Sequence, residues 1–252
     1  MNTHQNILAL LAKYQEMDIE HAVGFQKFNH YLVSHHSTSI EGSTLTYIET
    51  TVLLEDGLTP KGKPLVHSLM QKDHYEALLF ALASAKNRSS YTPHFIQQMN
   101  AKVLRSTGQL YNTALGEVDG TKGEYRKGSV FAGQTTFVNH TKIESLVKEL
   151  CHRIQTTLQQ PLTVIEKLIF SFEMHYDLVY IHPFYDGNGR TSRLLMNAIQ
   201  LYFDLPLALV YVEDKVAYIT DLVEAKEQEN KGIFMDFMFS QYEKHLEGLT
   251  KA

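Results

Sequence analysis

Apolar residues recur at helical spacing through most of the 252-residue chain. The stripe Ile143, Leu146, Val147, Leu150, Cys151, Ile154, Leu158 is a clear instance, with polar positions on the opposite side. This periodicity predicts helices over about 3–16, 18–35, 45–55, 64–86, 93–106, 142–158, 162–180, 188–202, 214–229 and 232–247. Between them lie breakers: 57–64, 87–93, 108–123, Gln160-Pro161 and Pro206. One stretch departs from the pattern. Around Ser129–Ala132 and Thr135–Val138, two short β-prone runs flank Gly133-Gln134, which reads as a hairpin lying on the helical body. A hairpin edge is a surface on which an extended peptide can pair, although a purely structural connector fits the same residues. The expectation is a mainly α fold, with 1–60 as N-terminal helices on a core of 61–252 in one compact body.

Composition narrows the class. A hydrophobic share of 44% suits an ordinary globular chain. A net charge of −5 argues against a general nucleic-acid binder, whose footprint is basic. The run 7–12 lacks a preceding basic region, and no uncharged stretch is long enough for a bilayer, so a cytoplasmic, membrane-free protein is expected. Cys151 is the single cysteine. On its apolar stripe it reads as a buried structural thiol rather than a nucleophile.

The chemistry concentrates in one segment, His182-Pro-Phe-Tyr-Asp-Gly-Asn-Gly-Arg-Thr-Ser-Arg193, a glycine-rich polar turn between two apolar helices. Gly187 and Gly189 permit a sharp turn with exposed amides, which then open a helix whose N-terminal end attracts anions. Arg190 and Arg193, three apart, can share a face and fork onto phosphate oxygens. Asp186 is a hard oxygen donor suited to Mg²⁺, and His182 can take a proton near neutrality. Taken singly, each residue has a plain reading. The chain has thirteen histidines, and Asp-Gly-Asn-Gly is a common turn. The combination is far more specific.

These twelve residues resemble the Fic signature, His-x-Phe-x-Asp/Glu-Gly-Asn-Gly-Arg-x-x-Arg, at every defined position. His175-Tyr176 and Ile181 resemble that family's approach to it, and the likeness extends to a helical body with a hairpin flap before the motif. The resemblance implies Mg²⁺-dependent transfer of AMP from ATP to a Ser, Thr or Tyr hydroxyl of a protein, this chain itself included. It implies His182 as general base and Asp186 as metal ligand. Gly187, Asn188 and Gly189 would line an anion hole, Arg190 and Arg193 would hold the polyphosphate, and Phe184 would be a core anchor. The intact Gly-Asn-Gly-Arg argues against the kinase-like branch.

Residues 37–42, Ser-Thr-Ser-Ile-Glu-Gly, read by themselves as a short helix capped by Ser37 and ended by Gly42. Their spacing also resembles the family's inhibitory motif, of the class with an N-terminal inhibitory helix. That likeness implies that Ser37, Glu41 and Gly42 form a brake, with Glu41 pairing with Arg193. Tyr218 would stand on the adenine side, where a core tyrosine is equally consistent, and Thr136, Phe137 and Val138 would register the target strand. Three functions follow for comparison: an AMP transferase, a hydrolase removing AMP at the same site, and an ATP-sensing module without turnover. A homodimer is compatible with all three.

Overall fold

The computed structural model describes residues 3–132 and 135–251. The turn expected at Gly133-Gln134 therefore lies outside the described residues. The chain runs α1 (Thr3–Glu16), α2 (Phe25–Ile40), α3 (Tyr47–Asp56), α4 (Leu65–Lys86) and α5 (Pro93–Val103). Two hairpins follow, β1 (Leu110–Thr113) with β2 (Gly116–Asp119), then β3 (Phe131–Ala132) with β4 (Thr135–Thr136). Helices α6 (Ile143–Thr157), α7 (Val164–Ile181), α8 (Asn188–Tyr202), α9 (Lys215–Glu227) and α10 (Lys231–Thr250) complete it. The fold is mainly α, as the periodicity predicts.

Helix α8 lies at the centre, and every residue from Arg190 to Gln200 is buried. Leu194, Leu195, Ala198 and Ile199 join a cluster with α4, α5, α6 and α7, while Met196 faces a second cluster built from α1, α7, α9 and α10. A helix buried all round must satisfy its polar side chains internally. Asn197 and Gln200 both accept from the Ala208 amide, at 2.8 and 2.7 Å, and Gln200 donates to Ser171 Oγ. The two faces of α8 thus join the N-terminal helices and the C-terminal helices to one frame around the motif.

Two expectations change. The helix expected over 18–35 is instead a 3₁₀ turn at Ile19–His21 followed by α2, and α2 runs on to Ile40. Gly24, at φ 79°, breaks the chain and opens α2. Ser37 is therefore buried in the last turn of a long helix and caps nothing, with Glu41 at its C-cap and Gly42 at φ 102° beyond it. Second, the stretch 108–123 contains the β1–β2 hairpin, registered Leu110↔Asp119 through Thr113↔Gly116. The expected hairpin has shorter strands than its β-prone runs suggested, pairing Phe131↔Thr136 and Ala132↔Thr135. Cys151 is buried, and that burial pushes its thiol up to about 12, as suits a structural residue.

Burial also holds several imidazoles neutral. His36 and His245 are pushed down to about 4 and His175 to about 3, chiefly by burial. Below their ordinary value of 6.5, the unfolded chain takes up protons that the folded chain refuses. Stability contributed by these groups is whole above pH 6.5 and falls as pH drops towards 4. Urea midpoints should accordingly decline steadily over that window, and a flat profile would contradict the burial of these rings.

Candidate active site

A capping box sets the start of α7: the Thr163 side chain accepts from the Glu166 amide while Glu166 reaches back. The helix ends because Pro183 cannot continue it. His182 takes a left-handed conformation there (φ 48°, ψ 58°), unfavourable for a non-glycine residue by about 1–2 kcal/mol. The strain turns the chain sharply out of α7. Its ring is fixed twice. Nδ1 lies 3.1 Å from the Val179 carbonyl, which makes it the protonated nitrogen and leaves Nε2 as a free base. Phe137 stacks on the ring face at 3.7 Å and 21°. Burial pushes His182 down to about 4, opposed by the Val179 hydrogen bond and reinforced by Arg126. Glu41 and Asp186 pull it back only partly.

Gly187, at φ 77°, makes the second turn and opens α8. A Cβ there would stand 2.7 Å from Asn100 Nδ2, so the position requires glycine twice over. The same Asn100 amide donates to the Asp186 carbonyl at 3.1 Å and lies 3.2 Å from Thr191 Oγ1. The Asn188 side chain closes the loop on itself, accepting from the Phe184 amide and donating to its carbonyl. Asn188 thus builds the loop with its side chain, and only its backbone remains for an anion. The first amides of α8 have no helical acceptor.

Around this helix start sit the charges. Asp186 is exposed, and its Oδ1 accepts from the Gly187 amide at 2.5 Å and from Arg190 at 3.1 Å. Arg190 is buried, and its Nε and Nη1 have no hydrogen-bond partner. These buried guanidinium nitrogens put positive charge beneath the start of α8, where the helix N-terminus already favours an anion. Arg193 is buried and fully engaged. Its Nε donates to Ser37 Oγ and its Nη2 to the Ser37 carbonyl, each at 2.9 Å, and Nη2 also donates to Glu41 Oε1 at 2.7 Å. Burial works against the Glu41 charge, but Arg193 and Arg190 hold its carboxyl below the usual range.

A cavity of about 660 Å³ opens onto this constellation. His182, Gly189, Arg193 and Glu41 line it together with the apolar Val179, Ile219 and Leu222 and with Tyr180. A mixed polar and apolar cleft of this size accommodates a nucleotide. Tyr218 lines it too, but is 3% exposed and anchored, with its hydroxyl 2.9 Å from His175 Nε2 and 3.4 Å from Arg193 Nη1. It belongs to the core and braces Arg193 at the same time. Phe184 is 1% exposed, a core anchor as expected.

Two residues went unread in the sequence. Arg126 is 2% exposed and donates to three carbonyls, those of His182 at 2.7 Å and of Gly128 and Val138 at 2.6 Å. It ties the motif loop to both ends of the flap segment. Lys226, on α9, donates to the Thr136 carbonyl and lies 5.6 Å over the Phe137 ring. Of the expected flap trio, Thr136 and Val138 therefore have carbonyls already taken, and Phe137 covers His182.

With that geometry in place, the comparisons decide the family. Residues 90–200 match the Fic/DOC family model. The chain carries a Fic domain. Protein adenylyltransferase Fic of Drosophila virilis is 30% identical over 194 residues, 77% of this chain and 37% of that protein. Protein adenylyltransferase fic-1 of Caenorhabditis elegans is 26% identical over 209 residues, 81% of this chain and 39% of that one. The chain spans well under half the length of these curated relatives. Two solved structures share the fold. A Fic domain containing signaling protein from Bacteroides thetaiotaomicron aligns with a TM-score of 0.84 at 23% identity, covering 98% of this chain and 97% of that one. C. elegans Fic-1 aligns at 0.80 and 22% identity, covering 99% of this chain and 72% of that one. Among the described residues, no helix is long and apolar enough to cross a membrane.

Replacing Arg126 with Ala leaves three partly buried carbonyls without a donor. We expect a loss of stability on the order of 3 kcal/mol in denaturant titration, with Arg126→Lys recovering only part because an ammonium cannot reproduce the planar fork. A fully stable Arg126→Ala would show that the flap and the loop hold together without it.

Proposed function

We propose that the chain is a protein adenylyltransferase that moves AMP from ATP to a hydroxyl of a protein acceptor, held in check by Glu41. The observation that carries this reading is the shared cavity. A neutral imidazole with its Nε2 free shares it with the N-terminal end of α8 at Gly189 and with the paired Arg193 and Glu41. The relatives named protein adenylyltransferase support the same chemistry.

In this reading, the adenine lies toward Tyr180, Ile219 and Leu222, and the phosphates lie along the amides of α8. The acceptor oxygen attacks the α-phosphorus as its proton passes to His182 Nε2. The bond from the α-phosphorus to the bridging oxygen breaks, and pyrophosphate leaves. Phosphoryl chemistry of this kind relies on positioning and charge stabilisation more than on covalent help. Asp186 would hold Mg²⁺, which neutralises polyphosphate charge when bound. An exposed carboxylate whose protein contacts fall on one oxygen suits an ion that takes most ligands from phosphate and water.

Glu41 is the brake. It occupies Arg193 Nη2, the edge that a γ-phosphate would need, so a triphosphate must sit differently or displace it. Because Glu41 and His182 line one cavity, a second reaction is open to the same site. Glu41 can orient water against a phosphodiester on a modified protein and so remove AMP.

Labelled-ATP assays on native lysate test both readings. Glu41→Gly should raise AMP transfer, self-modification included, by roughly a hundredfold, the scale of losing near-attack geometry. His182→Ala should abolish transfer, and chelating Mg²⁺ should suppress it. Removal of AMP should vanish in Glu41→Gly. Tight ATP binding without transfer in Glu41→Gly would leave only an ATP-sensing module.

A further inference from the structure

Helix α9 supplies apolar residues to the cavity, but one of its residues acts elsewhere. The Lys226 ammonium sits between two rings, 5.6 Å from the Phe137 centroid and 5.1 Å from that of Tyr180. It also donates to the Thr136 carbonyl, the residue before Phe137. The Tyr180 hydroxyl in turn donates to the Leu222 carbonyl on the same helix, so the lower ring is fixed to α9 as well. Phe137 lies face to face with His182. A cation between two aromatic faces attracts both through their ring quadrupoles.

We infer that Lys226 is a positioning residue for the transfer reaction, a latch that fastens the β4 end of the flap to α9 and thereby keeps Phe137 seated on the imidazole. The inference rests on the transferase reading, but the latch itself is a matter of geometry. Two constraints set the ring plane of His182: an in-plane hydrogen bond from Nδ1 to Val179 and the stack on its face. The stack leaves the Nε2 edge open, so Phe137 steadies the base without blocking it. β3 and β4 pair only through Phe131↔Thr136 and Ala132↔Thr135. So short a hairpin has little stability of its own. Arg126 pins its base through the Gly128 and Val138 carbonyls, and Lys226 pins the strand that leads into Phe137. Without the ammonium, β4 loses both its hydrogen bond and the charge over the Phe137 ring.

The test combines a contact readout with kinetics on the full chain. Para-fluorophenylalanine placed at position 137 reports the stack by fluorine NMR. Lys226→Met should move that resonance to an unstacked value, and Lys226→Arg should keep it in place. In a Glu41→Gly background, Lys226→Met should lower kcat roughly tenfold with ATP affinity unchanged, and Lys226→Arg should restore it. Unchanged resonance and kcat in Lys226→Met would overturn the latch, as would a drop in ATP affinity that accounts for the whole effect. If Glu41→Gly itself transfers no AMP, the transferase reading fails, while the fluorine shift still decides whether Lys226 holds Phe137.

Discussion

The structure depends on how a buried arginine is satisfied. Arg193 sits in a helix enclosed on all sides, where an unpaired guanidinium would be prohibitively unfavourable. Its partners come from two distant parts of the chain: Ser37 and Glu41 from the end of α2, and Tyr218 from α9. Tyr218 is in turn bonded to His175 on α7. One side chain therefore draws α2, α7, α8 and α9 to a point. Its burial lowers the local dielectric, so the charge that reaches the cavity is barely screened. Whatever enters that cavity with a negative charge competes with Glu41 for a partner that must have one.

The same logic explains the stress at the start of α8. A left-handed histidine, an arginine pair at the positive end of a helix and a buried loop are each unfavourable by themselves. They persist because the surroundings over-determine them. Asn100 and the Asn188 side chain hold the loop, Arg126 takes the His182 carbonyl, and Tyr111 stacks on Tyr185 at 4.5 Å. The β1–β2 hairpin, which contributes nothing directly to the cavity, has its place here as a buttress. Strain concentrated at one turn and borne by rigid neighbours is the usual condition of a preorganised site.

Much of this was legible in the sequence, for identifiable reasons. Glycines at 187 and 189, proline at 183 and the charges between them are local signals, because the turn they encode is made by neighbouring residues. The pairing of Glu41 with Arg193 spans 152 residues and was reachable only through the spacing of 37–42. The boundaries of α2 were misread because the break falls at Gly24, inside an otherwise periodic stretch, so the helix begins later and ends later. Arg126 was invisible because its partners are backbone carbonyls, and every residue type has one. Lys226 was hidden likewise, since its contacts are a carbonyl and two rings at sequence distances no pattern records.

A division of labour between long-range and local interactions follows. The motif supplies reactive groups in a compact turn, but nothing in that turn sets the plane of the imidazole or decides whether Arg193 is free. Beside the Val179 hydrogen bond from α7, those two properties depend on the end of α2 and on α9, through Glu41 and through Lys226. Both act on groups already fixed by α7 and α8. Changes in α2 bear on the partner of Arg193, whereas changes in α9 bear on how Phe137 is seated over His182. Because Tyr218 and Lys226 lie on one helix, two turns apart, a shift of α9 would loosen the arginine and the flap together. The turn can therefore stay constant while the helices around it change which of its groups are paired.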